Sequence, residues 1–302
     1  MQASEGEGKI AELEGEVHRL HEEIRRLNFQ LNICSAVRAF YETGIPSIEP
    51  VVDGFSASEN GYLFVSGLPR SGTSALGALL NLSRDIAMYM ELKTQWWPYS
   101  PQSVSVEHVS QFLNETHQHY KYNKEIWEKS KSARYVGDKR PLFLSNCIDK
   151  TLENFQGENL KVVHIFRNIK DIALSYKGRV DKGKGNWPAW RGPFAAVNDF
   201  NITNQFLRDA PLHRCENFKF VNYSDLFTSV DRCMELFKWV GVADQEERSL
   251  LDAVNSALQS ASYFVWREKQ YDFDEDYWTD FESRIDVESA REVERLYGAK
   301  IL

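Results

Sequence analysis

A stretch rich in small residues, Gly67 to Ser74, has the composition of an anion-binding loop. It lies between an apolar segment, Tyr62 to Ser66, and a helix-forming run, Ala75 to Asn81. A strand, a glycine-containing turn and a helix start direct several backbone N–H groups and the positive end of a helix dipole at one point. The stretch therefore predicts a site for a phosphate or sulfate group. A tight turn carrying an exposed Arg70 is the alternative for this loop taken alone.

The loop differs from the ATP-binding loop that it resembles in outline. The pattern G-x-x-x-x-G-K-[ST] has a lysine after its second glycine, where it reaches the β- and γ-phosphates. Thr73 occupies that position here, and the cation, Arg70, lies inside the loop. The sequence therefore disfavours chemistry on a triphosphate.

A second anion site is predicted further along the chain. Arg167 directly follows the apolar run Lys161 to Phe166, and Ser175 comes eight residues later in a helical pattern. A guanidinium fork and a hydroxyl can bind one phosphate together. Two separated anion sites predict a ligand that is charged at both ends. The alternatives are that Arg167 is a surface charge at a strand end and that Ser175 is an ordinary helix residue.

The elements around these residues alternate between strands and helices. Apolar runs predict buried strands at Ile86 to Met90, Lys161 to Phe166 and Phe218 to Tyr223. Helical patterns occur at Ile169 to Tyr176, Asn198 to Arg208 and Val230 to Val240. This order predicts an α/β fold in which a P-loop-like parallel sheet is flanked by helices and binds ligands at the carboxyl ends of its strands.

The N-terminal residues carry a different pattern. Apolar residues recur every seven positions at Ile10, Val17, Ile24 and Leu31, and between them at Leu13, Leu20, Leu27 and Cys34. β-Branched residues at one position of a heptad and leucine at the other favour two parallel strands, so residues 9–34 predict a homodimer. The alternative is a helix that folds back on its own domain. We expect a coiled-coil helix over 1–43, a Pro- and Gly-containing linker over 44–60 and a catalytic domain over 61–302.

Composition narrows the function classes. The chain has 302 residues, 42% of them hydrophobic and 26% charged, which is typical of a globular protein. A formal net charge of -8 argues against generic binding of nucleic acid. No apolar run approaches the ~20 residues that span a bilayer, and no signal peptide is recognisable, so we expect a cytoplasmic protein. The four cysteines lack C-x-x-C spacing, which predicts reduced thiols and no metal site.

Taken together, the loop and the Arg167/Ser175 pair resemble the sulfotransferases that use 3′-phosphoadenosine 5′-phosphosulfate (PAPS). The resemblance implies that the loop holds the 5′-phosphosulfate and that Arg167 and Ser175 hold the 3′-phosphate. The loop residues implied in this contact are Arg70, Ser71, Gly72, Thr73 and Ser74. The P-R-S-G-T form is nearer to the tyrosylprotein and bacterial-type branches of the family.

Two further segments extend the resemblance. Gly137 to Pro141 looks like the family's Lys-Pro motif, and Val221 to Leu226 is similar to a segment near the adenine, where Tyr223 would bind. The resemblance covers Tyr62 to Val242 and implies that no metal is needed. The donor-covering loop of the family is not recognisable near the C-terminus, where Lys269 could supply its cation.

Sulfuryl transfer to a hydroxyl needs cations at the leaving oxygen and one base at the acceptor. Arg70 and Lys139 are the cations we expect. Glu91 is the expected base, because its spacing from the loop resembles that of the catalytic glutamate of tyrosylprotein sulfotransferases. The alternatives are His164 or Asp138 as the base, and for Glu91 a plain ion pair with a neighbour such as Lys93.

The acceptor is predicted only by class. Two regions are rich in aromatic residues that could stack on a sugar, although most such groups of residues are core. The first contains Trp96, Trp97, Tyr99, Tyr120, Tyr122 and Trp127, and the second contains Trp187 and Trp190. The basic run Lys177 to Gly185 could be a lid or a solvated loop. We expect a glycan or small-molecule alcohol, with peptide tyrosine as the second choice.

Two other functions fit parts of the pattern. A P-loop kinase or ATPase shares the strand, loop and helix start but would have the missing lysine. A non-catalytic nucleotide-binding module, dimerised by its coiled coil, would keep the fold without the chemistry.

Overall fold

In the computed structural model, five parallel strands form one sheet in the order β2-β3-β1-β4-β5. The strands are β1 (Gly61–Gly67), β2 (Ile86–Met90), β3 (Tyr135–Lys139), β4 (Leu160–Phe166) and β5 (Phe218–Asn222). Most residues of β1, β2 and β4 are buried, as the continuous apolar runs of these strands require in a sheet covered on both faces. The predicted α/β fold with a parallel sheet flanked by helices is confirmed.

The structure describes residues 61–92, 98–113, 119–183, 187–188, 190–242, 247–260 and 275–302. The predicted coiled coil over 1–43, its homodimer contact at 9–34 and the linker over 44–60 lie outside these residues, as do Trp96, Trp97 and Lys269. No helix in the described ranges is long and apolar enough to cross a membrane.

Helices cover both faces of the sheet. They are α1 (Thr73–Leu80), α2 (Val106–Phe112), α3 (Tyr120–Ser130), α4 (Phe143–Asn154), α5 (Ile169–Val180), α6 (Pro193–Asp209), α7 (Tyr223–Thr228), α8 (Val230–Val240), α9 (Glu247–Gln259), α10 (Glu275–Ser283) and α11 (Val287–Tyr297). One face of the sheet packs its aliphatic residues, such as Leu63 and Val65, against α1 and α8. On the other face, aromatic rings fill the space under α4, where Phe64 stacks on Tyr99 at 4.3 Å.

One strand does not follow from the hydrophobic pattern. β3 reads Tyr-Val-Gly-Asp-Lys and ends in charged residues, yet it lies between β1 and β2 with its last three residues buried. Gly137 permits this position, because a Cβ atom there would lie 1.6 Å from the Leu63 carbonyl oxygen of β1. The close approach of the β1 and β3 backbones therefore requires glycine at this position. The charged residues Asp138 and Lys139 follow it at the end of the strand.

Several predicted boundaries shift. Helix α1 begins at Thr73, two residues before the predicted start, and Tyr223 begins α7 where the sequence predicted the end of a strand. Helix α5 continues to Val180, so the first half of the basic run Lys177 to Gly185 is helical where a loop or lid was expected. Of the predicted thiols, Cys147, Cys215 and Cys233 form no disulfide within the part of the chain that the structure describes.

Candidate functional site

Each predicted site follows the carboxyl end of a parallel strand. The loop follows β1, Glu91 follows β2, Lys139 ends β3, and Arg167 and Tyr223 follow β4 and β5. Parallel strands bring these five ends to one edge of the sheet, where ligands bind in open α/β folds. The fold therefore collects residues that are far apart in the sequence.

The loop after β1 has an unusual backbone. Arg70 has φ 70° and Gly72 has φ 104°, both in the left-handed region. Among the described residues, no side chain caps helix α1 at Gly72, so the N–H groups of its first turn stay available to an anion. The Ser71 hydroxyl is buried and has no hydrogen-bond partner in the described part of the chain. These features fit the predicted phosphate or sulfate site.

Gly72 lies directly under an aromatic ring. A Cβ atom at this position would lie 2.4 Å from Cδ2 of Tyr223, closer than side chains tolerate. The absence of a side chain thus lets Tyr223 close over the loop. Of the other loop residues, Thr73 is buried and Ser74 is exposed at the helix start.

The two predicted anion sites adjoin. Arg167 is only 9% exposed, and its Nη1 donates to the backbone oxygen of Arg70 at 3.3 Å. The Arg70 side chain in turn donates from Nε to the Ser175 hydroxyl at 2.9 Å. The Arg167 guanidinium also lies 4.3 Å from the ring centre of Tyr223. A residue of the first predicted site therefore contacts a residue of the second.

Positive charge is concentrated here. Burial, followed by the nearby guanidiniums of Arg179 and Arg167, lowers the pKa of Arg70 to about 10, and Glu91 offsets this only in part. Mutually repelling guanidiniums favour an anionic ligand, because such a ligand would relieve their repulsion. Sequence analysis placed Arg179 only in the basic run Lys177 to Gly185, and the signal that it missed was the position of Arg179 four residues after Ser175 on the same helix face.

An ion pair joins the ends of β2 and β3. Lys139 is 1% exposed, and its ammonium contacts the Glu91 carboxylate, which is 31% exposed. The Glu91 N–H donates to the Lys139 backbone oxygen at 3.0 Å. The predicted base therefore pairs with the predicted cation Lys139. This partner differs from the neighbour Lys93, which lies outside the described residues.

The two rivals for the role of base lie in the interior. His164 is buried with its ring centre 4.8 Å from that of Phe166, and burial lowers its pKa to about 3. Asp138 is wholly buried, and burial is the main cause that raises its pKa to about 6. An acceptor hydroxyl has no access to either group. Of the three groups, Glu91 is the one that reaches solvent.

The aromatic residues after α5 are tied into the fold. Trp187 donates from Nε1 to the Arg191 carbonyl oxygen at 2.9 Å and packs edge-on against Tyr176. Trp190 is 46% exposed.

In the described ranges, no cluster of three or more His, Cys, Asp or Glu side chains could hold a metal ion.

Comparison with known proteins gives a family. A family model described as the sulfotransferase domain matches residues 61–300. No curated protein matches the chain. A crystal structure of a sulfotransferase from Alicyclobacillus acidocaldarius is similar in fold, with a TM-score of 0.51 and 14% identity over 80% of this chain and 97% of that one.

Two other solved structures have lower TM-scores. Mouse sulfotransferase SULT7A1 complexed with PAP has a TM-score of 0.44 and 16% identity over 84% of this chain and 95% of that one. The sulfotransferase domain from the curacin biosynthetic pathway has a TM-score of 0.45 and 15% identity over 80% of this chain and 99% of that one.

Proposed function

The chain belongs to the sulfotransferase domain family, and we propose that it transfers a sulfuryl group from PAPS to the hydroxyl of a glycan or small-molecule alcohol. The observation that carries this proposal is the contact between Arg70 and Ser175, at the meeting of two sites suited to anions. A donor with a phosphosulfate at one end and a 3′-phosphate at the other would engage both.

The donor site is proposed from the loop outwards. The first-turn N–H groups of α1, at Thr73 and Ser74, and the Ser71 hydroxyl would bind the 5′-phosphosulfate, with Arg70 neutralising its charge. Arg167 and Ser175 would bind the 3′-phosphate, and Tyr223 would contact the adenine. Arg179 adds positive charge beside Arg70. We propose no metal, because these cations can balance the charge of the donor.

The proposed reaction is an in-line displacement at sulfur. A bond forms between the acceptor oxygen and sulfur while the bond from sulfur to the 5′-phosphate oxygen breaks, and 3′-phosphoadenosine 5′-phosphate (PAP) leaves. Glu91 takes the proton of the acceptor hydroxyl, and a well-placed base of this kind contributes about 10²–10⁴-fold in rate. Lys139 orients the Glu91 carboxylate through their ion pair and, with Arg70, stabilises charge on the leaving oxygen.

Binding of PAP tests the donor site. We expect PAP to raise the melting temperature as its excess over Kd grows, and ATP to give no such shift. A shift with ATP alone would indicate a nucleotide kinase. No shift with either ligand would indicate a module that has lost its chemistry.

Turnover tests the base. Glu91→Gln should lower kcat for release of PAP from PAPS by about 10²-fold or more, with a small change in donor KM. Glu128→Gln is the matched control, because it removes the carboxylate of an exposed ion pair with Lys131 at 2.6 Å at the end of helix α3. Near-normal kcat in Glu91→Gln would dismiss Glu91 as the proton acceptor.

Sedimentation tests the predicted homodimer. A form of the chain that starts at residue 45 lacks residues 9–34 and should sediment as a monomer. An unchanged dimer would show that the coiled coil is not the contact.

A further inference from the structure

A buried carboxylate precedes Lys139 on β3 and points to the other face of the sheet, because successive side chains of a strand alternate. Asp138 is 0% exposed. Its Oδ2 accepts two hydrogen bonds, from the Leu92 N–H at 3.0 Å and from the Tyr99 hydroxyl at 2.6 Å. One oxygen thus connects the residue directly after Glu91 to a tyrosine seven positions further on.

Tyr99 is a fixed point in the core. Its N–H donates to the Thr151 hydroxyl at 3.1 Å, and its ring stacks on Phe64 at 4.3 Å. The guanidinium of Arg140 lies 3.9 Å from the centre of the same ring. A side chain packed on several sides cannot shift without disturbing its neighbours. The Asp138 carboxylate therefore ties Leu92 to an immobile partner.

The backbone of Glu91 needs such support. Its φ is 55°, in the left-handed region, which is unfavourable for a residue other than glycine and persists only where the surroundings impose it. Two hydrogen bonds flank this residue, and both acceptors belong to β3. The Glu91 N–H binds the Lys139 oxygen, and the Leu92 N–H binds Asp138, each at 3.0 Å.

We propose that Asp138 is a positioning residue, which holds Glu91 in its left-handed conformation so that the Glu91 carboxylate meets Lys139. The inference rests on the proposed role of Glu91 as the base. Asp138 itself does not touch the acceptor. It affects the reaction by fixing the backbone conformation of Glu91 and Leu92, the two residues directly after β2.

The energetics of Asp138 agree with such a role. Within the described residues, its Oδ1 has no hydrogen-bond partner, and a buried carboxylate left half satisfied is costly. A group of this kind is a poor choice for stability alone. What it provides is a strong acceptor at a defined point, which an apolar side chain of the same size would not provide.

A double-mutant cycle tests the proposal. Asp138→Ala removes both hydrogen bonds and should lower kcat for release of PAP from PAPS by about 10²-fold, the cost of a misplacement near 1 Å. Donor KM and the affinity for PAP should change less than about twofold, because the loop and Arg167 are untouched. In the Glu91→Gln background, Asp138→Ala should cause no further loss of kcat, because the two residues act as one unit. Asp138→Asn keeps one acceptor oxygen and should recover part of the rate.

Two more variants separate positioning from general stability. Tyr99→Phe removes one of the two bonds and should show a smaller loss with the same pattern, which keeps the test available if Asp138→Ala does not fold. Tyr89→Phe is the matched control. Tyr89 lies on β2, and its buried hydroxyl donates to the Ser130 hydroxyl of α3 at 2.9 Å. Loss of this hydrogen bond should lower the melting temperature and leave kcat unchanged.

The outcomes are distinguishable. Additive losses in the double variant would overturn the assignment of Asp138. So would a crystal structure of Asp138→Ala in which Glu91 keeps its positive φ and its contact with Lys139. If only Tyr99→Phe folds, an unchanged kcat in that variant would overturn the assignment. An unchanged kcat in Glu91→Gln alone would refute the proposed base, and the crystal structure would then decide the positioning by itself.

Discussion

Replacing Asp138 with asparagine should change how the stability of this protein depends on pH. The carboxyl of Asp138 has a pKa raised from 3.8 to about 6, chiefly because burial disfavours its charged form. The hydrogen bond from Tyr99 and the positive charges of Arg140 and Lys139 oppose this rise, and Glu91 adds to it. Asparagine has nearly the same shape but does not titrate in this range.

The sign follows from proton binding. Between pH 3.8 and about 6, the folded protein holds the Asp138 proton more tightly than the unfolded chain does. This carboxyl therefore stabilises the fold less and less as the pH rises through that window. With about 1.4 kcal/mol for each tenfold change in a binding constant, the full effect is about 3 kcal/mol, most of which falls between pH 4 and pH 7.5.

Urea unfolding of the two proteins at pH 4 and pH 7.5 measures the effect. Relative to the wild type, Asp138→Asn should gain about 2 kcal/mol of unfolding free energy between the two pH values, whatever its offset at pH 4. Asp225→Asn is the control of opposite sign, because a hydrogen bond from Lys300 lowers the pKa of Asp225 at the surface. A difference between wild type and Asp138→Asn that does not change with pH would refute the reasoning.

The remaining predictions concern the sheet and the donor site. Gly137→Ala should give no folded protein by circular dichroism, because the new Cβ would lie 1.6 Å from the Leu63 carbonyl oxygen; a folded, active variant would contradict the β1–β3 register. Arg167→Ala should raise the KM for PAPS by at least about tenfold with a smaller fall in kcat, because it removes a charged donor remote from the reacting atoms. Steady-state kinetics in which kcat falls more than KM rises would place Arg167 at the reacting end instead.

Four of the helices and most strands could be predicted, because their local pattern and their burial agree. β2 matches the predicted Ile86 to Met90, and α8 matches Val230 to Val240, since both carry apolar residues at the spacing that their element requires. β3 could not be predicted in this way. Its polar residues are buried because β3 lies between β2 and β1 in the sheet. The local sequence pattern does not encode this position.

The site was predictable in its parts and not in its connections. The glycines of the loop and the spacing of Arg167 and Ser175 follow from local chemistry. The loop and Arg167 each follow a strand, and Ser175 lies on the next helix, as the sequence indicated. The contact between Arg70 and Ser175 joins residues 105 positions apart, and that between Lys139 and Glu91 joins residues 48 apart. Side-chain contacts over such separations depend on strand order, which spacing along the chain does not specify.

The sequence by itself therefore determined which backbone could form the anion loop, because the left-handed φ of Gly72 and its close approach to Tyr223 favour glycine. It also determined the alternation of strand and helix that makes a parallel sheet. Only the tertiary structure decided which carboxylate of the site meets solvent and which is buried. Glu91 and Asp138 are both followed closely by polar or charged residues in sequence, and they differ because the order β2-β3-β1 leaves one at the open strand end and encloses the other between covered faces.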